Sequence, residues 1–280
     1  MRTKRSRHER GVSNEAAVAR YWSRRLKHAG PLAAVLTYDA PPAINRAYDR
    51  WERESLLRQL PASLDGKTAL DLGCGSGRVA VLLAGRGATV TGVDISPVML
   101  EACRTAARRA RVSRRLTLIE SSVSKLIPNL GKFDIVTCFG LLEHLWPKER
   151  HRCLHVALAN LNKSGRIFLV VNNPDGVFLR TRKSGSDRRV AGHYVSMVGL
   201  RWLEKFCNAN GAAMTVLAAN PFYAWLHYGL LKGLAVSFPE AELNRLAQVV
   251  TPLDLAATLR GPLPYALASH FMVELRRRGV

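Results

Sequence analysis

No two cysteines of this chain form a CxxC pair; the five it has (Cys74, Cys103, Cys138, Cys153 and Cys207) stand singly along 280 residues. That scatter has no metal-ligand spacing, so no metal site is expected, and reduced thiols in a cytoplasmic protein are. Long apolar runs are missing as well. The longest candidate, PFYAWLHYGLLKGLAVSF (Pro221–Phe238), is broken by His227 and Lys232 and falls short of a membrane span. No apolar stretch follows the basic start MRTKRSRHERG, so a secretory signal is not expected there. Acid is scarce too, with 21 Asp and Glu against 42 Lys and Arg, a formal charge of +21. The cations gather in residues 2–27, Arg104–Arg115 and Arg180–Arg189. Such a surface is either simply solvated or drawn to nucleic acid phosphate or an anionic membrane face, and charge alone leaves these open.

What is present divides by texture. Residues 1–15 read as a disordered basic tail and 16–64 as a helical cap, with helical spacing over Tyr21–Leu60 interrupted at Ala40-Pro41-Pro42 and stopped by Pro61. From Lys67 short apolar runs take over: TALDL, ATVTGVD, RLTLIE, FDIVTCF and RIFLVVN. Runs apolar on both faces, with helical stretches between the first three, predict parallel strands covered on each side. Right-handed crossovers then make a doubly wound α/β sheet within one domain over 65–280. Ser96-Pro97 supplies a cap and an N1 proline for the helix that follows. Beyond residue 172 the reading is a basic loop over 173–196, a helix over Gly199–Asn210 and a strand over Ala212–Ala219. A helical insertion at about 220–268 then precedes a last strand, HFMVEL.

The stretch Lys67–Ala80, KTALDLGCGSGRVA, places Asp71 at a strand end ahead of Gly73, Gly75 and Gly77. A phosphate loop of the Walker type needs a lysine and a hydroxyl residue after the last glycine, and Arg78-Val79 stand there instead; a dinucleotide fingerprint needs GxGxxG, and this is GxGxG. Asp71 itself would repel a pyrophosphate and attract an amine, while the helix start after Gly77 favours a carboxylate. A ligand with an ammonium and a carboxylate at one end satisfies both, and S-adenosylmethionine (SAM) is one. The next strand ends GVDIS, putting Asp94, 23 positions after Asp71, where an acid binds ribose hydroxyls.

With these residues the chain resembles the class I SAM-dependent methyltransferases, in particular the small-molecule group with ubiquinone-type and "type 11" members. DLGCGSGRVA is similar to their first motif, VTGVDISPVMLEAC to their second, FDIVTCFGLLEHL to the fourth-strand segment and LNKSGRIFLVVNN to the fifth strand. The resemblance covers residues 65–175, and 40–64 and 190–218 more loosely. It implies a Rossmann-like sheet of seven strands, mostly parallel, with one antiparallel hairpin strand. It also implies that Asp71 and the backbone of Gly73, Cys74, Gly75 and Gly77 hold the methionyl end, that Asp94 holds the ribose, and that Ile95 and Met99 line the adenine. Ser122-Val123 stand where family members often carry Asp-Ala, a weaker, neutral partner for the adenine edge. Phe139-Gly140 would sit beside the methyl group, and the helix around Tyr48 and Trp51 would close over the cofactor, with Arg46 or Arg50 meeting its carboxylate; amphipathic core packing is the commoner reason for such aromatics.

Methyl transfer from a sulfonium rests on holding a nucleophile in line, and an oxygen nucleophile gains from a base. His144, in LLEHL past the fourth strand, is the first candidate base or a structural histidine pinning the loop; His193, in AGHYVS, is the second, and Glu143 is a candidate for orienting substrate. No Asn/Asp-Pro-Pro-Tyr/Phe motif follows the fourth strand, no Pro-Cys nucleophile is present, and no RNA-binding module is appended. A small-molecule acceptor methylated at oxygen, apolar, aromatic or lipid-like, is therefore expected. An RNA or tRNA methyltransferase and a non-catalytic SAM-binding member are the alternatives. Residues 221–238 are expected to pack over the sheet, to form a lid, or to seat the protein on an anionic membrane.

Overall fold

The computed structural model describes residues 14–36, 40–126, 130–179, 188–190, 193–257 and 262–279, with the side chains of 188–190 and 193 left out. The expected basic tail thus lies outside the described residues up to position 13, as does most of the Arg180–Arg189 cluster.

Five strands run parallel: β1 (Thr68–Leu72), β2 (Thr89–Asp94), β3 (Leu116–Glu120), β4 (Phe133–Phe139) and β5 (Leu161–Asn172). Strand β9 (His270–Arg277) pairs antiparallel with both β5 and β8 (Ala212–Ala219), completing a seven-stranded sheet in the order β3-β2-β1-β4-β5-β9-β8. Helices α3 (Arg78–Gly85) and α4 (Pro97–Arg109) make the first crossovers, and α5 (Pro147–Ala159) and α6 (Leu200–Ala209) the later ones. This is the predicted Rossmann-like arrangement with its antiparallel strand.

Side chains alternate across a strand, and the two hydrophobic clusters follow that period of two. Leu70, Leu72, Val136, Cys138, Ile167 and Leu169 pack with α5 and α6 on one face. Ala69, Ile135, Phe139, Phe168 and Val170 pack on the other with α3, α2 (Pro42–Leu57) and α8 (Glu240–Ala256). The double-sided covering explains why the central strands read as nearly continuous apolar runs.

Helix α1 (Glu15–Val35) is bent at Gly30-Pro31, where Gly30 adopts φ +75°. Four hydrogen bonds from Arg25 hold the bend: to the carbonyls of Ala34 (2.8 Å), Ala33 (3.3 Å) and Leu36 (3.1 Å) and to the Tyr21 hydroxyl (3.1 Å). The expected insertion consists of α7 (Pro221–Ala224), a π-helix over Trp225–Gly233, α8 and α9 (Pro262–Leu267). Asp254 of α8 accepts from the backbone N–H of Phe222 (2.8 Å) and Tyr223 (3.1 Å), which fixes α7 to α8. Phe222, Trp225, Leu253 and Leu263 are exposed on these helices, and no described helix is long and apolar enough to cross a membrane. The loop expected over 173–196 is corrected in part: β6 (Arg188–Val190) and β7 (His193–Val195) form a short antiparallel ladder within it.

Candidate active site

Strand order reverses between β1 and β4, and in such sheets ligands bind beyond the carboxyl ends of the strands at that point. Asp71 stands there, paired in register with Thr137 of β4, whose hydroxyl donates to Asp71 Oδ1 at 2.7 Å. Burial pushes the Asp71 carboxyl up from 3.8 to about 6, against the Thr137 hydrogen bond and the nearby Arg78 charge. The loop that follows turns on itself: the N–H groups of Gly73 and Cys74 both donate to the Val93 carbonyl, at 2.8 and 2.9 Å. Gly77 enters α3 at φ +89°, and a Cβ there would lie 2.5 Å from Cys103 Sγ. Only glycine meets both demands. Asp94 Oδ2 accepts from Gly75 N–H at 2.9 Å and its Oδ1 from Ser96 N–H at 2.8 Å, so the second acid holds the loop in place. Burial raises its pKa, opposed by those N–H groups.

A cavity of about 930 Å³, counting the part open to solvent, lies over this loop. It is lined by Asp71, Gly73, Cys74, Gly75, Asp94, Ile95, Met99, Ser122, Val123 and Phe139, ten of the eleven residues expected to bind the cofactor. The eleventh, Gly77, lies behind the loop, where Cys103 fills the space its side chain would take. Cys74 is buried, and the hydrogen bond with Cys103 together with burial pushes its thiol well up, away from the thiolate a nucleophile needs.

The roof of the cavity departs from expectation. Val18, Trp22 and Val35 of α1 line it, and no residue of α2 does. Ser23 Oγ lies 3.2 Å from Ser96 Oγ, Ser76 donates to the Pro31 carbonyl at 3.0 Å, and Glu15 pairs with Lys125 at 2.7 Å, tying α1 down over the loop. Trp51 is fully buried with its indole N–H on the Ala219 carbonyl at 3.1 Å, a core residue of α2. Arg46 donates to Asn244 and Arg50 pairs with Glu54, both on the outer side of α2, so neither meets a cofactor carboxylate.

A second, larger cavity, about 2120 Å³ with its solvent-open part, adjoins the first. Val35, Arg78, Gly140 and His144 line both. Tyr48 and Glu52 of α2, Glu143, Asn172, Tyr228 and His270 give it a polar inner surface, and Leu36, Leu179, Val195 and Met197 an apolar one. Arg78 is the hinge between the two cavities. Its guanidinium reaches Asp49 Oδ1 and Glu52 Oε2, each at 2.6 Å. Motif reasoning missed this residue, although a cation at the first position of a helix, against the dipole, was a signal that acids must face it. His144 sets its ring edge against Trp22, centroids 4.9 Å apart at 85°. His193 opens β7, and its side chain lies outside the described residues.

The donor set suits a cationic ligand better than a phosphate. Asp71 and Asp94 face the first cavity, and its lining cation, Arg78, is already neutralised by two acids. A Cβ on Gly75 would come 3.0 Å from Val35, so only a bare backbone lets the loop pass this close under the roof. SAM, with its ammonium and sulfonium charges, fits these residues.

Comparison with known proteins agrees with this geometry. The family model described as "Methyltransferase domain" matches residues 69–165, from β1 into β5. The ubiquinone biosynthesis O-methyltransferase of Vibrio parahaemolyticus is 42% identical over 83 residues, covering 29% of this chain and 34% of that protein. The enzyme of the same name from Pseudomonas paraeruginosa is 32% identical over 148 residues, covering 44% of this chain and 62% of that one. The chain thus spans between a third and three fifths of the length of these curated relatives. Among solved structures, magnesium protoporphyrin IX methyltransferase from Synechocystis PCC 6803, with bound S-adenosylhomocysteine, superposes with a TM-score of 0.59 at 18% identity. It covers 94% of this chain and 100% of that one, a likeness of fold.

Proposed function

Because the chain carries a class I SAM-dependent methyltransferase domain, we propose that it transfers a methyl group from SAM to a hydroxyl oxygen of a small acceptor held in the second cavity. The observation that carries this reading is the shared wall: Gly140, His144, Val35 and Arg78 border both cavities, so a donor in one and an acceptor in the other meet at Gly140. Oxygen as the methylated atom is supported by the curated relatives, named as O-methyltransferases.

When bound, SAM supplies an electrophilic methyl carbon on a sulfonium. The protein's part is position and exclusion of water. Asp71 receives the ammonium, Asp94 the ribose hydroxyls, and Ile95, Met99 and Val123 enclose the base beside Ser122. Trp22, braced by His144, covers the reacting region from α1. The apolar wall of Leu36, Leu179, Val195 and Met197 receives an aromatic or alkyl body, and Arg24 and His28 stand exposed at its rim. A nucleic acid acceptor would bring its phosphates towards two acids, Glu52 and Glu143, on the cavity wall, which disfavours that alternative.

The test is incubation of the protein with SAM and a panel of phenols, with total RNA in parallel, read by mass spectrometry. Formation of S-adenosylhomocysteine together with an acceptor heavier by one methyl supports the reading. Transfer to RNA alone, or to no hydroxyl acceptor, overturns it.

A further inference from the structure

Glu143 is one of the polar groups that line the second cavity. Glu143 lies in the turn Leu142–His144 just past β4. Both sides of that turn are pinned, by Ser196 N–H on the Glu143 carbonyl at 2.8 Å and by Arg150 Nε on the Leu142 carbonyl at 2.7 Å. A Cβ placed on Gly140 would lie 3.9 Å from Glu143 Oε1, which puts the carboxyl group at the residue where the two cavities meet.

Resting on the proposed methyl transfer, we infer that Glu143 takes the acceptor's proton, and that the inner end of the cavity therefore selects a neutral hydroxyl over a carboxylate. As the acceptor's O–H bond breaks, the proton goes to the Glu143 carboxylate. The oxygen's electron pair forms the bond to the methyl carbon, and the pair of the methyl–sulfur bond stays on the donor's sulfur.

The surroundings suit a proton acceptor that works near neutrality. Burial raises the Glu143 carboxyl to about 7, the charge of Glu52 adds to the rise, and Arg150 opposes it. Tyr48, whose hydroxyl bonds Glu52, also feels the Glu143 charge, and burial above all keeps it protonated. Arg78 is spent on Asp49 and Glu52, and Arg25 on Tyr21 and three carbonyls. A carboxylate acceptor would thus meet acids at the reacting end and no cation to receive it. His144, the first candidate from the sequence, also lines this cavity and turns its ring edge to Trp22; His270 is held neutral by burial with its pKa lowered to about 3, so it cannot keep a proton at pH 7.

Two phenols separate a base from a mere wall. 4-Propylphenol ionises only near pH ~10, as a tyrosine does, whereas 4-nitrophenol is largely ionised near neutrality and needs no base. In Glu143→Gln, kcat/KM for 4-propylphenol is expected to fall about 10²- to 10⁴-fold, and for 4-nitrophenol less than about tenfold. Glu143→Asp is expected to recover part of the first loss. Equal losses on both phenols overturn the inference. A second readout needs no turnover: the absorbance of bound 4-nitrophenol reports its ionisation. Removing the Glu143 charge should lower the bound phenol's pKa by about one unit or more, and an unchanged value also overturns the inference. If the wild type binds SAM and methylates neither phenol, the O-methylation reading falls, and the absorbance titration still decides the place of Glu143.

Discussion

Replacing Asp71 by asparagine should make the ligand-free protein more stable while destroying its grip on SAM. The side chain is 3% exposed and carries a carboxyl raised from 3.8 to about 6. A rise of that size corresponds to about 3 kcal/mol of unfavourable ionisation in the folded state at pH 7, at about 1.4 kcal/mol per unit. The sign follows from proton counts. Between pH 4 and 6 the folded chain holds a proton on Asp71 that the unfolded chain has released, so wild-type stability declines as pH rises through that window. The amide of Asp71→Asn has no such proton to lose, and its oxygen still accepts from Thr137. The variant's advantage should therefore be absent below pH ~4, grow to about 3 kcal/mol by pH ~7, and stay level above.

Binding runs the other way. The ligand's ammonium lowers the Asp71 pKa, so SAM binding expels a proton and wild-type affinity should weaken by up to about tenfold per unit below pH ~6. Saturation at about 100 times Kd stabilises a binding-competent chain by about 2.7 kcal/mol, and Asp71→Asn should forfeit that increment. The assay is urea unfolding at pH 4.5 and 8, with and without SAM. Equal stability of the two proteins at pH 8, or a full ligand-induced gain in the variant, would refute the placement of Asp71 as a buried, ligand-facing acid.

Two further outcomes follow from the backbone and the roof. Gly77→Ala forces a left-handed alanine against Cys103 Sγ, 2.5 Å from its Cβ, and should cost about 2 kcal/mol or more in denaturant unfolding; a change under about 0.5 kcal/mol would show that the loop relaxes freely. Arg25→Ala removes three hydrogen bonds across the Gly30 bend and one to Tyr21 before it. Amide exchange in residues 15–35 should quicken at least tenfold and SAM affinity should drop, while exchange in β1 and β4 stays unchanged.

How much of this could be read beforehand depends on how far apart the partners lie in sequence. The glycine loop, Asp71 and Asp94 form one strand–loop–helix–strand unit, and there the spacing of residue types stands in for geometry. The strands were legible for a related reason: a sheet covered on both faces writes both clusters into each strand, as Leu70 and Ala69 do in opposite directions. The roof was not legible. Ser23 meets Ser96 across 73 positions and Ser76 meets Pro31, at the bend of α1, across 45. The aromatics of α2 fit either a cover over the cofactor or core packing, and Trp51 takes the second.

Within α2 a finer error was avoidable. Successive helical residues turn by about 100°, so Arg46 and Arg50 point away from the face that carries Tyr48 and Glu52. Once Glu52 is placed on the inner face, Arg78 must be its partner, because a fully enclosed carboxylate at that depth needs a cation within hydrogen-bond reach. That pairing fixes the site's electrostatics. Arg78 pairs with Asp49 and Glu52 and leaves Asp71 on the donor side and Glu143 on the acceptor side as acids raised by burial, to about 6 and about 7. One gives up its proton to solvent when a cationic ligand binds, the other gains one from a hydroxyl, and the division between donor and acceptor chemistry rests on one arginine at the first turn of α3.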